Sequence, residues 1–590
     1  MTAQVYNNVS STLFNSLDSA SITVSVTDGT MFPSVSEGDW YPIHVVRSNN
    51  AFEIMHVMGS DENGLLTVER AQEGTDPLTF ESGSTVQIRL TKETLANIDA
   101  SDMTVESIGG GEKNRLSVWI DRMNEFADTS RETPLVISIP NEFDTLYDAV
   151  ESIRYKALPV GSRVRIEIDE GSYSGGNWNL TTEISNSLSY AIDIVGLGAG
   201  ASITTNLNFT DGVEGLTQYG PYKPFIYIKN VPMGDVRNLS IYSQAAESNA
   251  VVGVLLVGGN ASANVSSRIE VKCLDGDVAG IALFNGASVD CRGSDLSGCG
   301  NRDEYDAGGV YENGSPSDDS AGSGLNLQGG CVAIADGLVA NRCGIGINVA
   351  RGSFCQCQGA TADDCVHHGL LATRNSDAYA DDSSFKNTLD DCLVAKWSSR
   401  IHADDCDISG SRDKTGAVIG ETSHASLRRA TVANSGTTGI ALIRNSTCDA
   451  EGAVITNSGN DGLRVEQGSR ATCLNITVTG SARYNLAALS GGFIEATAAV
   501  ASGAASHCIY AEAGKIQCIG AVATGSETGS GVYATSGGEI NARNVDASGG
   551  GATSEVQMYN GSIINFTGGT GNIQSSIVQN GVSQKGLFFF

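Results

Sequence analysis

Two pairs of aspartates, Asp381-Asp382 and Asp404-Asp405, stand 23 residues apart. If the chain returns to the same place with that period, their backbones lie about 4.8 Å apart, the spacing of neighbouring strands. Carboxylates so close either point into water, hold a cation, or raise one another's pKa as a shared acid/base pair requires. A glycoside hydrolase of the common kind needs two carboxyl groups, about 5 Å apart for retention or about 6.5–9.5 Å for inversion, and adjacent repeats can supply either. A lyase needs instead a base and a group that neutralises a uronate. Around the aspartates lie Asp363, Asp364, His367, His368, Asp390, Asp391, Trp397, Arg400 and His402, the densest ionisable cluster of the repeat region. Both chemistries can be assembled from it, and neither is singled out. Solvated acidic turns are the competing explanation for the aspartates, and a turn pair is the competing one for His367-His368, which alone are too few for a metal.

A second set of carboxylates, Asp303, Glu304 and Asp306, falls in an acidic, turn-rich stretch that interrupts the repeat. Loops projecting from a rigid scaffold commonly carry binding groups. Trp178, Tyr219, Tyr222 and Trp397 are candidates for stacking on sugar rings, with Arg400 and His402 as polar contacts; packing in a core is the alternative fate of such aromatics. The sequence has no G-x-S-x-G, no P-loop and no H-E-x-x-H, so nucleotide hydrolysis and zinc proteolysis lack support. No metal or cofactor is expected.

The element that must position these groups is a repeat. Openings recur at Gly346, Gly369, Cys392, Gly416, Gly439, Gly462, Asn485, Cys508 and Gly531, with spacings of 23 and once 24 residues. A fixed period of this size marks a stacked architecture in which each unit buries its apolar face only against its neighbours. The units hold short apolar triplets broken by Gly, Asn and Ser, with no run long enough for a helical stripe, so they are strands and tight turns. Six residues after the openings stand Gly352, Asn375, Ser398, Thr422, Asn445, Gly468, Gly491, Gly514 and Gly537, mostly types that tolerate positive φ. The fold class is therefore all-β, a right-handed parallel β-helix of about 23 residues per coil. Roughly eighteen coils would give a rod on the order of 85 Å.

Composition narrows the partners. A net charge of −31 disfavours nucleic acid, whose phosphates need clustered Lys and Arg, and suits a neutral or cationic glycan. The 14 cysteines sit at scattered repeat positions and are expected to be buried free thiols acting as small apolar groups. No stretch has the roughly 18 continuous apolar residues of a membrane span, and the polar start lacks a signal-peptide core, so neither membrane insertion nor secretion by that route is expected.

Residues 1–98 read differently, as a small β domain with strands near Ile22–Val26, Tyr41–Val45 and Phe52–Val57. The segments V26-TDGTMFP, F52-EIMHV, L65-LTVERAQEGT and F80-ESGSTVQIRLT resemble the N-terminal module of bacteriophage tail fibres and tailspikes. That resemblance implies a virion-attachment domain docked on tail, baseplate or adaptor proteins. Residues 99–139 form a connector in which Leu116, Trp119, Met123 and Phe126 make the stripe of a short helix, either docked on its own chain or forming a three-helix neck. Residues 140–590 form the β-helix, opened by a capping helix at about 143–158. A helix followed by a strand ending in E-G-S-Y at Glu170–Tyr173 resembles the start of pectate-lyase-like β-helices, tailspikes included. Together the resemblances imply a homotrimeric virion protein, assembled in the host cytoplasm, that binds bacterial surface polysaccharide. Depolymerisation, non-catalytic adhesion and a purely structural role stay open.

Overall fold

The computed structural model describes residues 9–88, 135–154, 163–174, 191–206, 222–299 and 322–574 with brief interruptions, together with a few short strands outside these ranges. Trp178, Tyr219, Asp303, Glu304, Asp306 and the stripe Leu116–Phe126 lie outside the described residues, as does the side chain of Tyr222, which opens the strand Tyr222–Lys229. The chain divides into two compact units, Met1–Thr129 and Ser130–Phe590.

The first unit is a largely antiparallel seven-stranded sheet in which Asp39–Val46 pairs with Phe52–Ser60, and that strand pairs with Leu65–Gln72. Alternation along Asp39–Val46 sends Tyr41, Ile43 and Val45 inward, against Val24, Met55, Val57, Leu66, Phe80 and Val86. Glu53, on the same strand as Met55, is fully buried and paired with Arg70.

The second unit is a parallel β-helix. From about Arg268 onward the described coils cross three faces: a 15-stranded parallel sheet, here the first face; a 20-stranded sheet, the second; and a narrower third face. The third face holds four strands from Thr431–Ala433 to Val500–Ser502, extended on both sides by single bridges such as Thr361 to Ser384 and Val522 to Asp546. Parallel strands joined by such crossovers wind right-handed. The solenoid's first described strand is Leu135–Ile139, paired with Arg163–Ile168, so these five residues, read from sequence as connector, belong to the β-helix. That strand lies before the glycine-marked coils, which left it without a sequence signature.

The helix expected at about 143–158 is found at Leu146–Arg154. Thr145 precedes it, accepting the Asp148 N–H and donating its hydroxyl to the Asp148 carboxylate, an N-terminal cap. Leu146, Ala149 and Val150 turn inward and join the solenoid's core.

Inside, side chains stack in ladders. Leu325, Ile347, Leu370, Leu393, Ala417, Ile440, Leu463, Leu486, Ile509 and Val532 form one interior row of the first face, all fully buried. The opening glycines are explained here: a Cβ at Gly346 would collide with Ala362, and one at Gly462 with Val478. Between the first and second faces the turn takes two successive residues at positive φ, as at Arg374-Asn375, Trp397-Ser398 and Glu421-Thr422. The sixth-position column therefore marks a left-handed turn, except that Gly514 gives way to Ala513. Asn434 and Asn457, both at positive φ, stack in another turn, with the Asn457 amide donating to Asn434 at 3.2 Å. All thirteen cysteines whose side chains are described are free and buried, and burial drives the thiols of Cys392 and Cys508 up to about 11.

Candidate functional site

The three faces separate the cluster that looked continuous in sequence. Asp381, Asp382, Asp404 and Asp405 occupy the corner between the second and third faces, where Asp382 and Asp405 take positive φ of 59° and 60°. Their oxygens hold the turns together. Asp381 Oδ1 accepts the Asp404 N–H at 2.9 Å, and Asp404 Oδ1 accepts the Ser426 hydroxyl at 2.6 Å and the Arg428 N–H at 2.9 Å. Asp405 takes a two-pronged contact from Arg429, at 2.7 and 2.6 Å, and Asp382 accepts from Gln358 at 3.3 Å. Asp336 repeats the motif upstream by accepting the Gln358 N–H.

Arg400 and His402 lie on the second face, where the His402 ring stacks on exposed Tyr379 at 4.6 Å and 3°. Trp397 stands on the corner between the first and second faces, with the Arg374 guanidinium 5.3 Å from its ring centre. The remaining groups gather on the corner between the third and first faces.

That corner is formed by the residues one and two places before each opening. Reading down the coils, the column immediately before the openings is His368, Asp391, Thr415, Thr438, Asp461, Tyr484, His507 and Ser530. The column before it contains His367, Asp390, Lys414, Thr437, Asn460 and Arg483. Two residues after the openings, on the outer side of the first face, stand Leu371, Val394, Val418, Ala441, Arg464, Ala487, Tyr510 and Tyr533 in register.

At the upstream end the columns are ionisable. His367 Nδ1 lies 3.1 Å from Asp390 Oδ2, and His368 Nδ1 lies 2.8 Å from the Asp391 carbonyl. A carbonyl only accepts, so His368 carries its proton on Nδ1 and its basic nitrogen is Nε2. Asp391 Oδ1 accepts the Thr415 N–H at 2.9 Å. Burial lowers the His368 pKa and raises that of Asp391. Burial also acts to raise Asp390, but the His367 hydrogen bond and the nearby His367, His368 and Lys414 charges outweigh it and hold its carboxyl below the usual range.

At the downstream end the columns are aromatic. Tyr484 and Tyr510 stack at 4.0 Å and 7°, His507 stacks on Tyr533 at 4.2 Å and 23°, and Tyr559 follows Tyr533 at 5.3 Å. The rings stack on one another along the helix, with Tyr510 buried within the row and Tyr484, His507, Tyr533 and Tyr559 partly exposed. Arg483 lies 4.5 Å over Tyr484 and is held by buried Asp461 in a two-pronged pair at 2.8 and 2.5 Å. The Tyr510 hydroxyl donates to Glu512 at 3.0 Å, and Arg464 pairs with Glu466 at 2.7 Å. His507 Nδ1 accepts the Ser530 N–H at 2.9 Å, which leaves the proton on Nε2 as a donor; burial lowers its pKa to about 4, so the ring is neutral. Burial raises the Tyr484, Tyr510 and Tyr533 phenols, which remain protonated donors.

The aromatic run carries no cluster of charges in the sequence; the strand register brings its members together. Among the described residues, no group of three or more His, Cys, Asp or Glu is placed to hold a metal, and no helix is long and apolar enough to cross a membrane.

No protein-family model and no curated protein sequence matches the chain. Similar solved structures include the periplasmic alginate epimerase AlgG, at 12% identity over 80% of this chain and 96% of that one, TM-score 0.32. A GH87 alpha-1,3-glucanase catalytic unit from Streptomyces thermodiastaticus matches at 12% over 83% and 85%, TM-score 0.31. Tailspike protein 3 of bacteriophage CBA120 matches at 11% over 93% and 82%, TM-score 0.26. These likenesses are distant, and the chemistry of the corner rests on its own geometry.

Proposed function

We propose that the chain is a bacteriophage tailspike or tail fibre protein whose β-helix binds a linear bacterial surface polysaccharide along the corner between its third and first faces. The observation that carries this reading is the stacked row Tyr484, Tyr510, His507, Tyr533 and Tyr559, bordered by the Arg483–Asp461 pair and Glu512. Successive coils offer hydroxyl, imidazole and carboxylate groups at steps of about 4.8 Å. A linear polymer lying along the helix axis meets that pattern repeatedly, with ring edges covering C–H surface and the polar tips pairing with sugar hydroxyls.

The charge balance favours a neutral chain of sugars. Arg483 and Arg464 are each paired with a carboxylate, and the protein carries a net −31, so a polyanion would meet repulsion. Attachment to the virion through residues 1–98 and assembly as a parallel homotrimer belong to the same proposal and rest on the sequence resemblance of the N-terminal module. Calorimetric titration of the purified chain with neutral capsular and O-antigen polysaccharides tests the binding. Saturable binding supports it; no binding to any of them would favour a structural fibre.

A further inference from the structure

The corner that Asp381 and Asp404 brace downstream opens upstream into a cavity of about 650 Å³, lined across four successive coils by residues that include Leu197, Asn238, Ser240, Ser266, Arg268 and Asp295. A β-bulge shapes it. Arg237 pairs with Ser266 and Ser240 with Arg268, so the strand Pro232–Ala245 carries one residue more than its neighbour there, and Asn238 takes a positive φ of 53°. Two serines of the lining region serve the fold: the Ser267 hydroxyl donates to the Val236 carbonyl at 3.0 Å and the Ser294 hydroxyl to the Val265 carbonyl at 2.7 Å. The Asn238 amide and the Ser240 and Ser266 hydroxyls, by contrast, make no side-chain hydrogen bond among the described residues. Arg268 lies 3.8 Å from Asp295 and 3.5 Å from Glu270, too far for a close hydrogen bond to either, so the guanidinium keeps donors and Asp295 keeps an acceptor oxygen.

We propose that this cavity is a small-molecule site for a neutral saccharide of one or two rings, separate from the aromatic row and sharing no residue with it. Its volume falls within the range of about 300–1,000 Å³ in which such sites lie. The charges select against ionic ligands: one arginine faced by two carboxylates, in a chain of net −31, gives an anion no net attraction, and a cation would sit against the guanidinium. A neutral vicinal diol suits both members of the pair, one hydroxyl accepting from Arg268 while its neighbour donates to Asp295. Further hydroxyls of the ring meet Asn238, Ser240 and Ser266, and the exposed side chain of Leu197 offers its C–H face an apolar wall.

The full-length chain is tested by saturation-transfer NMR at millimolar concentrations of glucose, galactose, mannose, N-acetylglucosamine, maltose and lactose, with glucuronate and glucosamine as charged comparisons. Expected is binding of at least one neutral sugar, weakened about tenfold or more by Arg268→Ala and by Asp295→Asn, the effect of losing a charged hydrogen-bonding partner. Ser266→Trp, which fills the cavity and leaves both charges in place, should abolish it, and urea unfolding of each variant shows that the fold is kept. Tyr510→Ala, on the aromatic row, should leave this binding unchanged. No binding of any neutral sugar would overturn the site, and tighter binding of glucuronate or glucosamine would overturn its ligand class. Native affinity in Arg268→Ala, Asp295→Asn and Ser266→Trp, with a loss in Tyr510→Ala, would move the sugar to the aromatic row. Polysaccharide binding that survives Ser266→Trp would leave the reading of that row intact whatever becomes of the cavity.

Discussion

Glu53 and Arg70 meet in the interior of the first unit through two hydrogen bonds of 2.7 Å, and the same carboxylate also accepts the backbone N–H of Ala71 at 2.9 Å and of Leu78 at 2.8 Å. Arg70 in turn reaches the carbonyls of Asp18, Ser21 and Leu78. One ion pair therefore fastens two strands and two irregular segments. It also gives physical content to two of the sequence segments that resemble tail-protein modules, F52-EIMHV and L65-LTVERAQEGT, since each supplies one partner.

Replacing Glu53 by Gln should destabilise the first unit by about 3–5 kcal/mol, because it leaves a buried guanidinium without its counter-charge. Burial tends to raise the Glu53 pKa, but the Arg70 and backbone hydrogen bonds overcome it and the net shift is downward from 4.5. A depressed carboxylate contributes fully above its unfolded value and loses that contribution as pH falls through the folded one. Urea unfolding of the native protein should therefore show this stabilisation fading below about pH 4.5, and the Gln variant should lack that dependence.

Asp404→Ala should cost the β-helix about 1–3 kcal/mol, since the Ser426 hydroxyl and Arg428 N–H lose their acceptor. Affinity for polysaccharide should stay at the native value. A large loss of affinity with unchanged unfolding would move the glycan to the second–third corner.

Much of the β-helix was legible because its constraint is local and repeated. Gly346 and Gly462 are required by the third-face side chains they touch, and Asn375 and Asn445 by positive φ, so the period surfaces in the residue types themselves. Which corner each column occupies was not legible. Asp381 and Asp390 are nine residues apart and both acidic, yet two turns and the third face separate them. The aromatic row was hidden for a related reason: Tyr484, Tyr510 and Tyr533 belong to two different columns, and only the pairing register shows that they share one surface.

Tyr510→Ala and Tyr533→Ala should each weaken polysaccharide binding about tenfold or more, equivalent to about 1.4 kcal/mol, by removing ring contact from the stack. Titration calorimetry reads this directly. Tyr379→Ala, on the second face, serves as the control and should leave affinity unchanged; the reverse ranking would move the glycan to the second face.

Light scattering at micromolar concentration should return three times the 61.2 kDa chain mass. A chain starting near Ser130 should keep the parallel β-helix, whose contacts are made between neighbouring coils, while failing to join virions. A monomer mass for the full chain would remove the trimer from the proposal, and incorporation of the shortened chain would remove the attachment role of residues 1–98.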